Sequence, residues 1–383
     1  MERKEIENEK IKRLRQWIKC KPAPPVRIDI EPTSTCNLNC KFCWTRSKER
    51  VAKCSYSNLL PDKRFLEIVE EAGMLGVLEW QIAGGWEPMM KPKLVLAMME
   101  YIKKHNMFGC LTTNGVLFTE NSIKKLVEIE WDEILFSLEG PSAEIHDSVT
   151  EVKGSFNRAT KAMEQLTHWK KTLGAEKPEF SFHAVLSNKN YDKLDQMIVL
   201  GHELGCVGVN FEPLNIWSEE GRKLMLSNTQ KMELKNFVEA ALDAAKSLGI
   251  HTNAENLLEP RLLEKKDMNK ILEQEVKANK ENYIINSPCF DPWLNLEIRV
   301  SGHVVPCRLC DDDEGCEFIH SKSLEEIWFG EYFNSFRQSM MQKNMPGYCS
   351  SCAAGNVVAI RKIRDRLKQN NFQLTKIKNI VGL

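Results

Sequence analysis

Between Val26 and Glu212 short apolar runs alternate with amphipathic stretches, and no other feature of the chain narrows its fold as much. The strand-like runs are VRIDI (26–30), VLEWQI (77–82), FGCLTT (108–113), EILFSL (133–138), EFSFHAVL (179–186) and VGVNFE (207–212). Helical periodicity fills the gaps near 62–73, 92–106, 121–130, 156–171 and 191–204. Six strands alternating with five helices predict parallel βαβ units. A closed eight-stranded barrel needs two more repeats before the composition changes, and none is found. The expectation is an α/β chain whose main domain, 26–215, is a partial (β/α)6 TIM-like barrel.

The flanking segments read differently. A helix is predicted over 1–20 and stopped by KPAPP, because proline cannot continue a helix. Residues 1–25 are thus an N-terminal appendage. Residues 216–286 are rich in Lys, Glu, Asn and Leu, with one clear helix at 229–248, and read as a helical connector. From Ser287 cysteines crowd together, so 287–355 read as a small second domain whose core is too thin without a staple. Ser323 and Glu326 predict a capping box there. Residues 356–383 read as a basic helix with a solvated face, followed by a tail. Lys+Arg and Asp+Glu both number 53, so no net field points to nucleic acid. No apolar run approaches the roughly 18 residues of a membrane span, and the N-terminus is too charged for a secretory signal. A cytoplasmic protein is expected.

In that compartment thiols stay reduced, so the 13 cysteines are not expected to pair as disulfides. Seven of the 13 sit in patterned spacings, which points to metal or cluster ligation. Cys36, Cys40 and Cys43 follow the first strand as C-x3-C-x2-C in TSTCNLNCKFCW. Three thiolates on one short loop can hold three irons of a cubane cluster and leave the fourth iron for a small chelating molecule. Zinc normally takes four protein ligands, or three with a catalytic water, and three crowded cysteines without His are unusual for it. The loop also lies at the C-terminal end of a strand, where barrel active sites are built.

CNLNCKFC resembles the signature of radical S-adenosylmethionine enzymes, C-x3-C-x-aromatic-C, with Phe42 as the aromatic residue. The resemblance covers the whole barrel region. GGWEP (Gly84, Gly85, Trp86, Glu87, Pro88) follows the second strand, where the family's GGEP motif binds the methionine amino group; here Trp86 is inserted before Glu87. TTNG, containing Asn114, ends the third strand as the family's TNG does. SLEGPSAEIHDSVTEVKGSF ends the fourth and resembles the family's SLDGP…HD…GSF stretch, with Glu139 for Asp and Ser137 where the family meets the cofactor. Asn210 after the sixth strand is a further cofactor-binding candidate. The resemblance implies S-adenosylmethionine and a [4Fe-4S] cluster as cofactors. It also implies hydrogen abstraction from an unactivated C–H bond.

The C-terminal cysteines resemble the same family's SPASM and twitch domains. Cys289, twelve residues, Gly302, four residues and Cys307 match their opening, and Cys349 and Cys352 form a C-x2-C pair. No cysteine follows Cys352, so the shorter twitch type is implied, with one auxiliary [4Fe-4S] cluster held by Cys289, Cys307, Cys349 and Cys352. A zinc ribbon of Cys307, Cys310, Cys349 and Cys352 competes, but leaves Cys289 idle. Cys307, Cys310 and Cys316 also read C-x2-C-x5-C, which leaves open a spare ligand or proton donor. Cys20, Cys54, Cys110 and Cys206 have no patterned partners, and the last two read as core. His183 and Cys310 are the catalytic candidates, although His183 also reads as a barrel-wall histidine. Trp86, Trp217 and Trp293 read as packing before they read as pocket walls.

The auxiliary cluster implies, by resemblance, an oxidation or a C–C or C–X bond formation. An electron donor such as flavodoxin or ferredoxin is implied with it. Three substrate classes stand: a small polar metabolite, a lipid, and a ribosomal peptide. The peptide is placed last, because only about 25 residues precede the barrel and family peptide maturases often carry a leader-binding domain there. A non-catalytic iron–sulfur or zinc scaffold is disfavoured by the cofactor motifs.

Overall fold

The computed structural model describes residues 2–47, 51, 59–258, 284–310, 316–352 and 354–369. All six expected strands form: β1 (Arg27–Ile30), β2 (Glu79–Ile82), β3 (Phe108–Thr113), β4 (Glu133–Ser137), β5 (Glu179–Val185) and β6 (Gly208–Glu212). The expected helices form between them, at Asp62–Leu75, Pro92–Lys104, Glu120–Glu128, Ser155–Leu173 and Leu194–Leu204. Gly76, Gly174 and Gly205 end three of these in the left-handed conformation that releases the chain into the next strand. One further helix, Ala143–Thr150, was not expected; it is too short to show a period and is set by Ser142 capping the Ile145 amide.

The sheet is longer than the sequence suggests. Four more strands join it, β7 (His251–Thr252), β8 (Asn295–Ile298), β9 (His303–Val305) and β10 (Glu317–Phe318). The order is β10-β9-β8-β1-β2-β3-β4-β5-β6-β7. From β8 to β7 every pairing is parallel, and β9 and β10 add antiparallel strands at one edge. The stretch read as a connector therefore includes one more βα unit: the helix Asn228–Leu248 packs on Leu194–Leu204 and leads into β7. A two-residue strand, His-Thr, carries no apolar run, which is why the sequence hides it. Residues 259–283 of the connector, the tail from 370 and Cys54 lie outside the described residues.

Side chains alternate across the sheet with period two. On β5, Phe180, Phe182 and Ala184 are buried against the helices, each Phe worth about 1.5–3 kcal/mol of burial. Ser181, His183 and Val185 take the other face, the lumen. That lumen is polar. Asp29 stands beside Gln81, Gln81 beside Cys110, and Cys110 beside Glu133.

The helix Arg3–Ile18 closes the N-terminal end of the strands. It buries Ile6, Ile11, Leu14, Trp17 and Ile18 and pairs Arg3 with Glu133 and Glu79. The C-terminal segment is not an independent body with its own core. β8 pairs with β1 residue for residue, from Arg27–Asn295 to Ile30–Ile298. Trp293, Ile298, Ile327, Trp328 and Phe333 belong to the main apolar core. The expected capping box forms at Ser323 and Glu326, and Trp328 Nε1 donates to Ala23 O at 2.9 Å.

Candidate active site and cluster sites

The Cys36–Cys43 loop leaves β1 and is fixed from three sides. Asn39 N and Lys41 N donate to Thr150 O and Val149 O at 3.1 and 3.0 Å, which ties the loop to the end of the unexpected helix. Arg46 reaches both Asn39 O and the Glu151 carboxylate. On the third side Ser218 Oγ donates to Lys41 O at 3.2 Å, and Gly221 lies against Lys41 O and the Cα of Phe42. Leu38 N points at Cys36 Sγ and Thr45 Oγ1 at Cys43 Sγ, at 3.4 and 3.1 Å. Burial raises the Cys36 thiol and raises Cys40 further, with Glu139 and the neighbouring thiols adding to the effect on Cys40. Three sulfurs that repel one another, beside amide donors, are a donor set an iron cluster would satisfy.

The motifs after β2 and β3 support this loop. Asn114 Nδ2 donates to Asn37 Oδ1 at 2.8 Å and lies 4.0 Å from Cys36 Sγ. The Glu87 carboxylate is engaged inside the protein. It accepts from Thr113 Oγ1 at 2.7 Å, Asn114 N at 2.7 Å and Met89 N at 2.9 Å. Glu87 thus joins the two loops, and what GGWEP can offer a ligand is its backbone. The two glycines are demanded by close neighbours: a Cβ on Gly84, whose φ is +144°, would lie 2.7 Å from Glu31 Cγ, and one on Gly85 would lie 1.9 Å from Trp44 Cζ2. Trp44 also meets Trp86 edge-on, 6.0 Å between ring centroids. Nothing in the sequence pattern singled out Trp44.

Across the lumen, register puts Ser137, His183 and Asn210 side by side on β4, β5 and β6. Ser137 Oγ lies 3.3 Å from His183 Nε2, and His183 Nδ1 is buried with no hydrogen-bond partner. Burial lowers His183 to about 4, so its ring is neutral at pH 7. Glu139 turns away from this row: Val185 N donates to its carboxylate at 2.8 Å, and burial raises it to about 8.

The second cysteine set lines one cavity. Cys289, Cys307, Cys349 and Cys352 face it together with Asp291 and Asn356. Asp291 N, Leu309 N and Asn356 Nδ2 lie 3.4, 3.5 and 3.9 Å from Cys289, Cys307 and Cys352 Sγ. Burial raises all four thiols, Cys349 to about 12. Among the described residues no three His, Cys, Asp or Glu donors converge tightly enough to grip one bare ion. Four thiols spread around a cavity suit a four-iron cluster, whose irons each take one of them. The alternative zinc set fails on Cys310. It is buried, with its Sγ 3.9 Å from Tyr332 Oη, and packs with Val305 and Cys316 instead of facing the cavity. Trp293, Cys110 and Cys206 are buried as expected, Cys20 is exposed, and Trp217 is half-buried.

Comparison with known proteins bears on the family and the fold. Residues 30–171 match the Radical SAM superfamily model, and residues 289–353 match SPASM, an iron-sulfur cluster-binding domain. The chain is 25% identical over 342 residues to the PqqA peptide cyclase of Ruegeria pomeroyi, covering 87% of this chain and 81% of that one. It is 28% identical over 182 residues to mycofactocin maturase MftC of Mycolicibacterium smegmatis, covering 48% and 43%. Its fold is similar to Streptococcus suis SuiB bound to S-adenosylmethionine, with TM-score 0.60, 15% identity and coverage of 85% and 69%. It is similar also to anSMEcpe with bound AdoMet, with TM-score 0.59, 16% identity and coverage of 90% and 97%. No described helix is long and apolar enough to cross a membrane.

Proposed function

The chain is a radical S-adenosylmethionine enzyme with a C-terminal SPASM domain, and from that premise we propose that it modifies a peptide in an oxidative, bond-forming reaction. The observation that carries the peptide is the similarity, along 87% of the chain, to a protein named for cyclising the peptide PqqA. MftC is named a maturase, and SuiB and anSMEcpe have been solved with peptides bound. These weigh for the peptide and against the small metabolite or lipid that the sequence put first.

The two domains imply S-adenosylmethionine, a [4Fe-4S] cluster to bind it and an auxiliary cluster; when bound, the first two would supply radical hydrogen abstraction and the auxiliary cluster an electron-accepting site. Cys36, Cys40 and Cys43 are the ligands we assign to the first cluster, and Cys289, Cys307, Cys349 and Cys352 to the second. The backbone at Lys41 and Phe42 packs on Gly221, and Asn114 holds the cysteine loop to β3. The Gly84–Trp86 backbone, Ser137 and Asn210 form the cofactor cradle. Trp44 and Trp86 meet edge-on beside the loop. Neutral His183 offers the substrate a polar contact without a charge. An external electron donor such as flavodoxin or ferredoxin completes the scheme.

The test is anaerobic reconstitution of the full chain. With dithionite and S-adenosylmethionine the protein should release 5′-deoxyadenosine and carry about eight irons, four per cluster. A Cys36→Ala, Cys40→Ala, Cys43→Ala variant should release none and keep about four irons. Cofactor cleavage by that variant refutes the first assignment, and one equivalent of zinc without iron refutes the second. Mass spectrometry of a small-peptide fraction incubated with the reduced enzyme then checks the substrate class.

A further inference from the structure

One charged side chain crosses from the second cysteine set to the barrel. Arg308 directly follows Cys307, and its Nη2 donates to Asp29 Oδ2 at 2.6 Å. Asp29 faces the lumen from β1, seven residues before Cys36. The guanidinium therefore ties the Cys307 segment to the lumen face of β1.

Its neighbours of like charge make more bonds. Arg27 donates from Nε to Asp29, from Nη1 to Glu79 and from Nη2 to Gln81. Arg3 gives Nε and Nη2 to Glu133 and Nη1 to Glu79. Arg299 gives Nη2 to the carbonyls of Arg308 and Cys310, with Glu31 and Glu297 beside Nη1. Arg308 differs. Of the five N–H groups a guanidinium carries, one meets Asp29 among the described residues, and Glu297 Oε2 is 4.0 Å from Nε. The Arg308 side chain is 52% exposed, while those of Asp29 and Glu297 are 17% and 6% exposed. A planar fork with one corner anchored and the rest open fits a second carboxylate, which it can hold by two parallel hydrogen bonds. The carboxylates here offer a cation much less, since Asp29 already receives two guanidinium groups.

We propose that Arg308 is a specificity-determining residue that binds a side-chain carboxylate, Asp or Glu, of the peptide substrate. The inference rests on the peptide reading given above. Asp29 then acts as the positioning residue that aims the fork.

Fluorescence anisotropy on the full chain, with both clusters and S-adenosylmethionine bound, tests it under anaerobic conditions. The probes are three labelled peptide pools with randomised flanks that share a central Glu, Gln or Lys. The wild type should prefer the Glu pool over the Gln pool by about tenfold, equivalent to about 1.4 kcal/mol. Arg308→Gln should abolish that preference and leave the Gln pool's affinity within about twofold. Arg308→Lys, which keeps the charge but loses the fork, should keep only part of the preference. Equal binding of the Glu and Gln pools by the wild type overturns the role of Arg308 and leaves the peptide reading standing. Equal weakening of all pools in both variants, with loss of iron, also overturns it, because the Arg308–Asp29 pair is then only a strut. Failure of every pool to bind overturns the peptide reading itself, and this role with it.

Discussion

Replacing Gly85 by alanine adds one methyl group where the structure has no room. A Cβ there falls 1.9 Å from Cζ2 and 2.3 Å from Nε1 of Trp44. Carbon atoms in contact sit about 3.5–4.0 Å apart, so the indole or the loop must retreat by roughly 1.6 Å. The indole is no loose end of a side chain. It follows Cys43 directly, and its far side meets Trp86. Overpacking of this kind costs about 1–3 kcal/mol. Gly85→Ala should lose that much in chemical denaturation. If about 1.4 kcal/mol of the strain is relieved by displacing the cysteine loop, S-adenosylmethionine affinity falls by about tenfold. Calorimetric titration of the reconstituted protein measures this. Trp44→Ala vacates the space, so the double variant should be less damaged than the sum of the two single changes, by about 1–2 kcal/mol of coupling. A Gly85→Ala protein as stable as the wild type, or strict additivity in the double variant, refutes the claim that Gly85 is small because Trp44 packs on it.

Two further outcomes follow from buried charge. Glu139 has its carboxyl raised by burial from 4.5 to about 8, so the native state binds its proton more tightly than the unfolded chain does. Its contribution is complete below about pH 4.5 and is lost as pH rises through about 8. Glu139→Gln should therefore gain stability relative to the wild type across that window in denaturation series; parallel profiles speak against the assignment. Arg337 lies over Trp17, Trp328 and Phe333, 4.6, 4.4 and 5.4 Å from their ring centroids, and its Nε donates to Pro292 O at 2.8 Å. Arg337→Ala should cost about 2–4 kcal/mol in chemical denaturation, from lost cation–π contacts and one stranded carbonyl; a loss below about 0.5 kcal/mol means the stack contributes nothing.

What could be read in the sequence was what is local. The six barrel strands announce themselves because each is a short apolar run between helices with their own period. The cysteine spacings are legible because a cluster fixes how far apart its ligands lie on one loop. Direction and partnership were not legible. Glu87 sits in a motif assigned to the cofactor, yet its oxygens bind Thr113, Asn114 and Met89. Cys310 shares a C-x2-C with Cys307 but points at Tyr332, and only geometry separates the two. Trp44 reads as one more aromatic residue, although it sets the need for Gly85.

The C-terminal segment, which reads as a small domain in want of a staple and matches the SPASM model over 289–353, also shares the barrel's sheet. β8 lies beside β1 in register, so the strand that leads into Cys36 and the strand directly after the Asp291–Leu294 helical turn share one ladder. The antiparallel β8–β9 hairpin then returns Cys307 and Arg308 toward the end at which β8 begins, and Arg308 meets Asp29 there. Leu60 N donates to Val300 O at 2.8 Å and Leu324 N to Glu71 at 2.8 Å, fastening the segment to the barrel at two more places. The segment that carries the second cysteine set is thus fastened to the barrel through a continuous, stiff sheet. A hinged domain could not hold two sites in constant register around one substrate. A shared sheet can, and it explains why the segment needs no separate core: the strands that position its cysteines are already anchored by the barrel's own.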